Sequence, residues 1–391
     1  MKVTINFFTL SMLLILSSCH TNKDNDIMAF AKKQRTSAKD YIIGLYQKYD
    51  IVILMERDHA EFTQYKLFMD VISDPYFIEK VGAVYTEVGV TNLGPKVNSF
   101  FGEQGLDSLE INQKVNDLYH QADYNHLWFG YSFPWLIKEL YKLNSISRNK
   151  VSLYTCDLAF EWDTCATEEE YDRFDGSDDF NHRDSLMANN FIRQYETIQQ
   201  AHNGDKKALV LMNTRHAYLT DTHYSKNDPR RNFGAYLKNY FGDKVASVCI
   251  LGLAHPNDWK TYSVVKDDYW DYCFESNDKT DIGFSLKNTP FGEEKFDLTP
   301  VGWDVDSLLY QDVFTGMVFY RSIQEHVLKK GWDNTIDENF KAEFIRRCTF
   351  MGLTEEEIDA EIQFFNTATT SKYDNLKTNR EKIDKWKKNN F

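Results

Sequence analysis

The sequence contains no Gly-x-Ser-x-Gly, no glycine-rich phosphate loop, no Cys-x-x-Cys and no His-x-x-x-His. A serine nucleophile on a strand-to-helix elbow, and a backbone cradle for nucleotide phosphates, are therefore without their motifs. Gly89-Val90-Thr91-Asn92 is too sparse to replace such a loop. The missing cysteine and histidine pairs take away the ligand spacing of structural zinc and of dithiol redox centres. Positive charge is also short: 45 Lys and Arg face 59 Asp and Glu, a formal net charge of -14. That balance argues against a nucleic-acid groove and against a general attraction to anionic membranes, while leaving room for a compact basic pocket.

What remains is a chain of 391 residues, 42% apolar and 15% aromatic, able to bury a large core. Lys2, an apolar stretch over 7–16 and Leu16-Ser17-Ser18-Cys19 resemble a bacterial lipoprotein signal, with cleavage before a lipidated Cys19. The plain alternative is an ordinary signal peptide cut nearby, and either one exports the protein. The expected organisation is a signal over 1–18, a lipidated tether over 19–27 and a single α/β domain over 28–391. The expected place is the bacterial cell envelope, periplasmic or surface-facing, with the membrane held through acylated Cys19. Of the other cysteines, Cys156 and Cys165 are the nearest pair in sequence. A disulfide suits export, and simple burial suits Cys156 at the end of an apolar run.

Four apolar runs end beside ionisable residues: 50–55 at Glu56-Arg57-Asp58-His59, 82–85 at Thr86-Glu87, 151–155 at Cys156-Asp157, and 208–212 at Asn213-Thr214-Arg215-His216. A fifth, 245–251, leads to Gly252-Leu253-Ala254-His255. Helical patterning separates them, over 60–72, 183–200 and 233–241. The prediction is an α/β fold with a mostly parallel central sheet, flanking helices and an additional helical cap. Such a sheet gathers its strands' carboxyl ends on one side, where open α/β folds bind ligands. Further helices are expected over 28–48, 106–143 with Pro134 as a break, 314–329, 337–348, 355–367 and 375–390. The acidic 168–179 stretch reads as a loop or a local excursion before the 183–200 helix.

The gathered ends suggest proton-transfer chemistry. A neutral His59 can take a proton from water while Glu56 or Glu87 orients the ring. His216 can protonate a leaving group or donate to a developing oxyanion. Arg183 and Arg215 can hold a substrate carboxylate or phosphate, or simply pair with Asp157 or Glu87. Plainer roles stand beside these: a salt bridge for Glu87, a turn cap for Asp157, a rim or structural position for His255, and core packing for Trp128 and its aromatic neighbours. Two His and two Glu are chemically adequate for a divalent metal, but their spacing forms no metal motif.

Taken together, Met55-Glu56-Arg57-Asp58-His59, Thr86-Glu87, Arg183-Asp184-Ser185-Leu186-Met187-Ala188-Asn189-Asn190 and Asn213-Thr214-Arg215-His216-Ala217 resemble the erythromycin-esterase-like and ChaN-like superfamily. The resemblance implies His59 as general base for water, Glu87 as a supporting acidic residue and His216 as the other catalytic imidazole. It also implies Glu56 and Arg183 as cleft residues and Asp157 as the acidic residue after the next strand. Met55 and Ala60 stand where the family usually has glycine, so side chains fill space that glycine leaves open. Members that open macrolide lactones work without metal, whereas other branches bind haem or are metal-dependent peptidases.

The expectation is an exported hydrolase that cleaves a small-molecule ester or lactone by histidine-assisted attack of water, with no nucleic-acid partner and no required cofactor. One alternative is a lipoprotein that binds haem or a bulky small molecule, with Trp128, Trp135 and Trp162 as walls and His59 or His216 on iron. The other is a divalent-metal-dependent hydrolase or peptidase.

Overall fold

The protein is described by a computed structural model covering residues 26–202, 204, 206–222, 231–254, 263–299 and 308–373. The signal, Cys19, His255 and the 375–390 segment lie outside the described residues. The opening segment, expected as one helix, is two: α1 (26–33) and α2 (Ala38–Leu45). Ser37 separates them, its hydroxyl accepting from the Asp40 N–H at 3.1 Å as the N-cap of α2.

The first core strand, β1 (Ile51–Glu56), is buried along its whole length. Then follow α3 (Thr63–Ile72), β2 (Ala83–Val90), α4 (Gly94–Gly102), α5 (Ser108–Tyr119), α6 (Ser132–Ile146) and β3 (Ser152–Asp157). Pro134 does not break a long helix; it lies in the first turn of α6, where a missing N–H costs nothing. The acidic stretch expected as a loop holds α7 (Glu168–Asp175), started by a Thr167–Glu170 capping box. Next come α8 (Arg183–Ala201), β4 (Ala208–Asn213), α9 (Phe233–Phe241) and β5 (Val245–Ile250). A two-residue ribbon, β6 (Leu253–Ala254) with β7 (Ser263–Val264), precedes α10 (Tyr269–Glu275), β8 (Asp281–Ser285) and α11 (Tyr310–Val313). The helix expected over 314–329 is instead β9 (Gly316–Tyr320), a short 3-10 turn and β10 (Leu328–Lys330). The chain continues through α12 (Lys341–Phe350), α13 (Glu355–Phe365) and β11 (Thr369–Ser371), which pairs with β10.

The central sheet has seven strands in the order β3-β2-β4-β1-β5-β9-β8. All neighbours are parallel except the β8–β9 edge pair. Alternate residues of each strand feed opposite faces, as a period of two requires. Val52, Leu54, Val84, Leu209 and Leu211 belong to one core cluster with α3 to α6, while Ile51, Ile53, Met55, Val210 and Met212 belong to another with α8 and α9. Two covered faces explain why these strands read as unbroken apolar runs. On the first face, α12 and α13 add an outer layer: Phe344 and Phe365 join its core, and Arg347 donates to the His120 carbonyl.

The chain leaves β1 toward β2 and β3, then returns to place β4 between β2 and β1 and β5 on the far side of β1. The carboxyl ends of β1, β4 and β2 therefore lie together. Register sets Glu56 opposite Asn213, and Val90 opposite Asp157 after a shift between Thr86 and Val90.

Candidate active site

Glu56 ends β1 with its side chain buried, and both carboxylate oxygens are used. One faces His59 Nδ1 at 2.7 Å and the other accepts from Tyr65 Oη at 2.6 Å. Burial alone would depress the His59 imidazolium, but the adjoining Glu56 charge and hydrogen bond, with Glu87 farther away, raise its pKa to about 9. His59 is therefore held as a cation at neutral pH. Its side chain is 16% exposed, and Trp128 meets its ring edge-to-face with centroids 4.7 Å apart.

The loop bearing His59 is fixed by residues with no chemical task. Arg57 forms a buried ion pair with Glu61 at 3.1 Å and donates to the Leu251 carbonyl and to His326, so the sequence neighbour Asp58 is not its partner. Asp58 instead accepts from the Ala60 N–H at 2.7 Å. A side chain at Gly252 would meet Arg57 Cδ at 2.5 Å, so glycine there lets the arginine pass.

Glu87 sits in the irregular end of β2. Its Oε1 takes Arg183 at 3.2 Å and faces His216 Nε2 at 3.5 Å, while Oε2 accepts the Asn213 N–H at 2.8 Å. Burial opposes its charge, but His216, Arg183, His59 and the Asn213 N–H together bring the carboxyl down to about 2. Arg183, at the start of α8, also grips Asp157 through two bonds of 2.8 Å. Asp157 thus serves both readings, pairing with Arg183 and accepting from the Leu158 N–H at 2.8 Å.

His216 follows β4 in a short 3-10 turn entered through Thr214, whose φ of 38° is unusual for a β-branched residue. Its Nδ1 faces Asp184 Oδ1, and Asp184 also receives Arg215 and the Phe233 N–H. Although buried, Asp184 is held well below the usual carboxylate range by His216 and Arg215. Asp184 belongs to the helix motif, yet nothing in the sequence marks it as the partner of His216. Nor does the sequence assign a role to Tyr65, which donates to Glu56, or to Asn213, whose side-chain amide donates to the carbonyls of Glu56 and Arg57.

Of the residues expected to form a site, Glu56, His59, Glu87, Asp157, Arg183, Arg215, His216 and Trp128 meet in one connected set. The three tryptophans do not form a common wall: Trp135 packs on Phe62, and Trp162 stacks on Tyr171 in a separate small cluster. Cys156 and Cys165 are free thiols, both buried, and burial pushes the Cys156 thiol far up, which leaves it inert. Glu87 is committed to Arg183 and the Asn213 N–H, while each imidazole turns Nδ1 to a carboxylate and keeps Nε2 as its remaining nitrogen, an orientation that proton-transfer and metal-ligating histidines share. Among the described residues, no group of three or more His, Cys, Asp and Glu is placed to hold a metal ion. A depression of about 430 Å³ beside the set is lined by Arg183, Asp184, Arg215, Arg231 and Tyr236, among others.

No protein-family model and no curated protein matches the chain. Among solved structures, a Bacillus cereus protein is similar with a TM-score of 0.43 at 11% identity, covering 75% of this chain and 96% of its own. An erythromycin esterase variant in its open conformation gives 0.44 at 13%, covering 71% and 91%. A succinoglycan biosynthesis protein gives 0.45 at 10%, covering 78% and 97%. At such identities none of their chemistry passes to this chain.

Proposed function

We propose that the protein is a hydrolase that cleaves an ester or lactone by adding water to its carbonyl carbon. The observation that supports this most is the placing of Glu87 among two carboxylate-held imidazoles, His59 on Glu56 and His216 on Asp184. Asp184 fixes His216 through Nδ1, as the acid of a catalytic dyad must, and leaves Nε2 to receive a proton from water. Glu87, anchored by Arg183 and Asn213, sits beside that nitrogen and steadies the imidazolium as it forms.

His59 takes the opposite part. A residue protonated up to pH 9 is a poor base and a ready acid, so the roles implied by the family resemblance are exchanged. Water oxygen bonds to the carbonyl carbon and its proton passes to His216. The tetrahedral intermediate collapses, the C–O bond breaks, and the alkoxide takes a proton from His59. The products are a carboxylic acid and an alcohol. His216 then returns its proton to solvent and His59 regains one.

A screen of esters and lactones should reveal turnover that chelators leave intact and that falls by about 10² to 10⁴ in His59→Ala and in His216→Ala. Full activity in both folded variants sinks the assignment. Turnover abolished by chelation and restored by one divalent metal supports the metal-dependent alternative instead.

A further inference from the structure

We propose that the alcohol half of the substrate carries a flat aromatic ring, received by the exposed side chain of Phe129 beside His59. The inference rests on the hydrolase reading, because it places the ring next to the group that protonates the departing alkoxide. Five large hydrophobic side chains stand exposed among the described residues: Leu109, Phe129, Ile146, Tyr240 and Ile345. Four of them lie on helices, in α5, α6, α9 and α12. Phe129, 39% exposed, is the one beside the chemistry, its ring centroid 6.3 Å from that of His59 at 72°.

Phe129 is also held in place. Its ring stacks on Trp128 at 5.0 Å and 28°, and Trp128 in turn meets His59 edge-on. Leu127 is buried, the Trp128 carbonyl accepts from Tyr119 Oη, and Gly130 pairs with Lys330 of β10. A side chain at Gly130 would stand 2.8 Å from Trp128 Nε1, so glycine lets the indole fold back toward the site. An apolar ring left in water beside a charged site, and fixed there from both sides, is a preorganised contact: it loses little conformational freedom when a second ring packs on it. The charged groups beside it, His59 and Glu56, suit the carbonyl, and the exposed ring suits an apolar leaving group.

The test compares benzyl acetate with ethyl acetate on the full-length protein, and separately follows benzyl alcohol binding by saturation-transfer NMR. Wild type should favour the benzyl ester in kcat/KM, and Phe129→Ala should lower that preference on the order of tenfold through KM, with Phe129→Tyr restoring it. Benzyl alcohol binding should weaken in Phe129→Ala and persist in Phe129→Tyr. If neither ester is turned over, the wider ester and lactone screen judges the hydrolase reading, and the benzyl alcohol titration alone decides the aromatic contact. An unchanged ester preference with unchanged benzyl alcohol binding in Phe129→Ala overturns the proposal.

Discussion

Two imidazoles in this molecule, His120 and His59, take different charge states because their partners differ. His120 stacks on Phe340 and points Nε2 at the Thr335 carbonyl, and burial pushes it down to about 4. His59 is also enclosed, yet a carboxylate at 2.7 Å overrides burial and carries it to about 9. Glu56→Gln removes that charge, so the His59 pKa should fall by at least about 2 units, read directly from its ring proton shifts by NMR. The sign for catalysis follows: His59 must be protonated to act as acid, so wild-type activity should fade as pH rises through about 9, and in Glu56→Gln the fade should begin near neutrality. The sign for stability is the same. A pKa raised above the ordinary 6.5 gives stabilisation that is complete below 6.5 and lost as pH climbs through about 9. Glu87, lowered from 4.5 to about 2, contributes stabilisation above 4.5 that disappears as pH falls through about 2. An alkaline limb that does not move in a folded Glu56→Gln variant would remove His59 from the acid role. His59, Glu87 and His216 were legible in the sequence because each follows an apolar run. Asp184 was not, because an acidic residue in a helix's first turn is ordinary there and only the folded chain brings it to His216.

The five parallel strands β1 to β5 were readable because strands covered on both faces show as short apolar runs bounded by polar residues. β9 was not, since a five-residue aromatic and apolar run fits a buried strand and a buried helix turn equally, and its pairing with β5 and β8 decides. The end of β2 also hid its purpose. Gly89 has φ of 104°, and a side chain there would come within 2.4 Å of Thr155 Cγ2 on β3. The register shift that presents Glu87 to Arg183 and His216 thus depends on a glycine that, as sequence, looked only like a weak loop signal. Gly89→Ala should cost on the order of 2 kcal/mol or more in urea denaturation, from backbone strain plus crowding. It should also lower hydrolysis beyond what the lost stability explains, because the strand end must shift to admit the methyl group. A variant as stable and active as wild type would show that the close approach at Thr155 carries no constraint.

At the scale of the whole molecule, charge bears on how the protein meets a membrane. With a net charge of -14 the body is repelled by anionic lipid rather than drawn to it, and among the described residues no helix is long and apolar enough to cross a bilayer. We propose that attachment to the envelope, expected from residues 7–19, comes from acyl chains on Cys19, whose hold would be hydrophobic and insensitive to salt. The wild-type protein expressed in a bacterium should sediment with membranes, stay there through a high-salt wash and come off in detergent. Cys19→Ala should appear in the soluble fraction or retain an uncut signal, which mass spectrometry separates by the presence of residues 1–18. Release of the wild type by salt alone would contradict lipid anchoring, because ionic contacts weaken as salt shortens the Debye length to about 3 Å at 1 M and buried acyl chains do not respond to it.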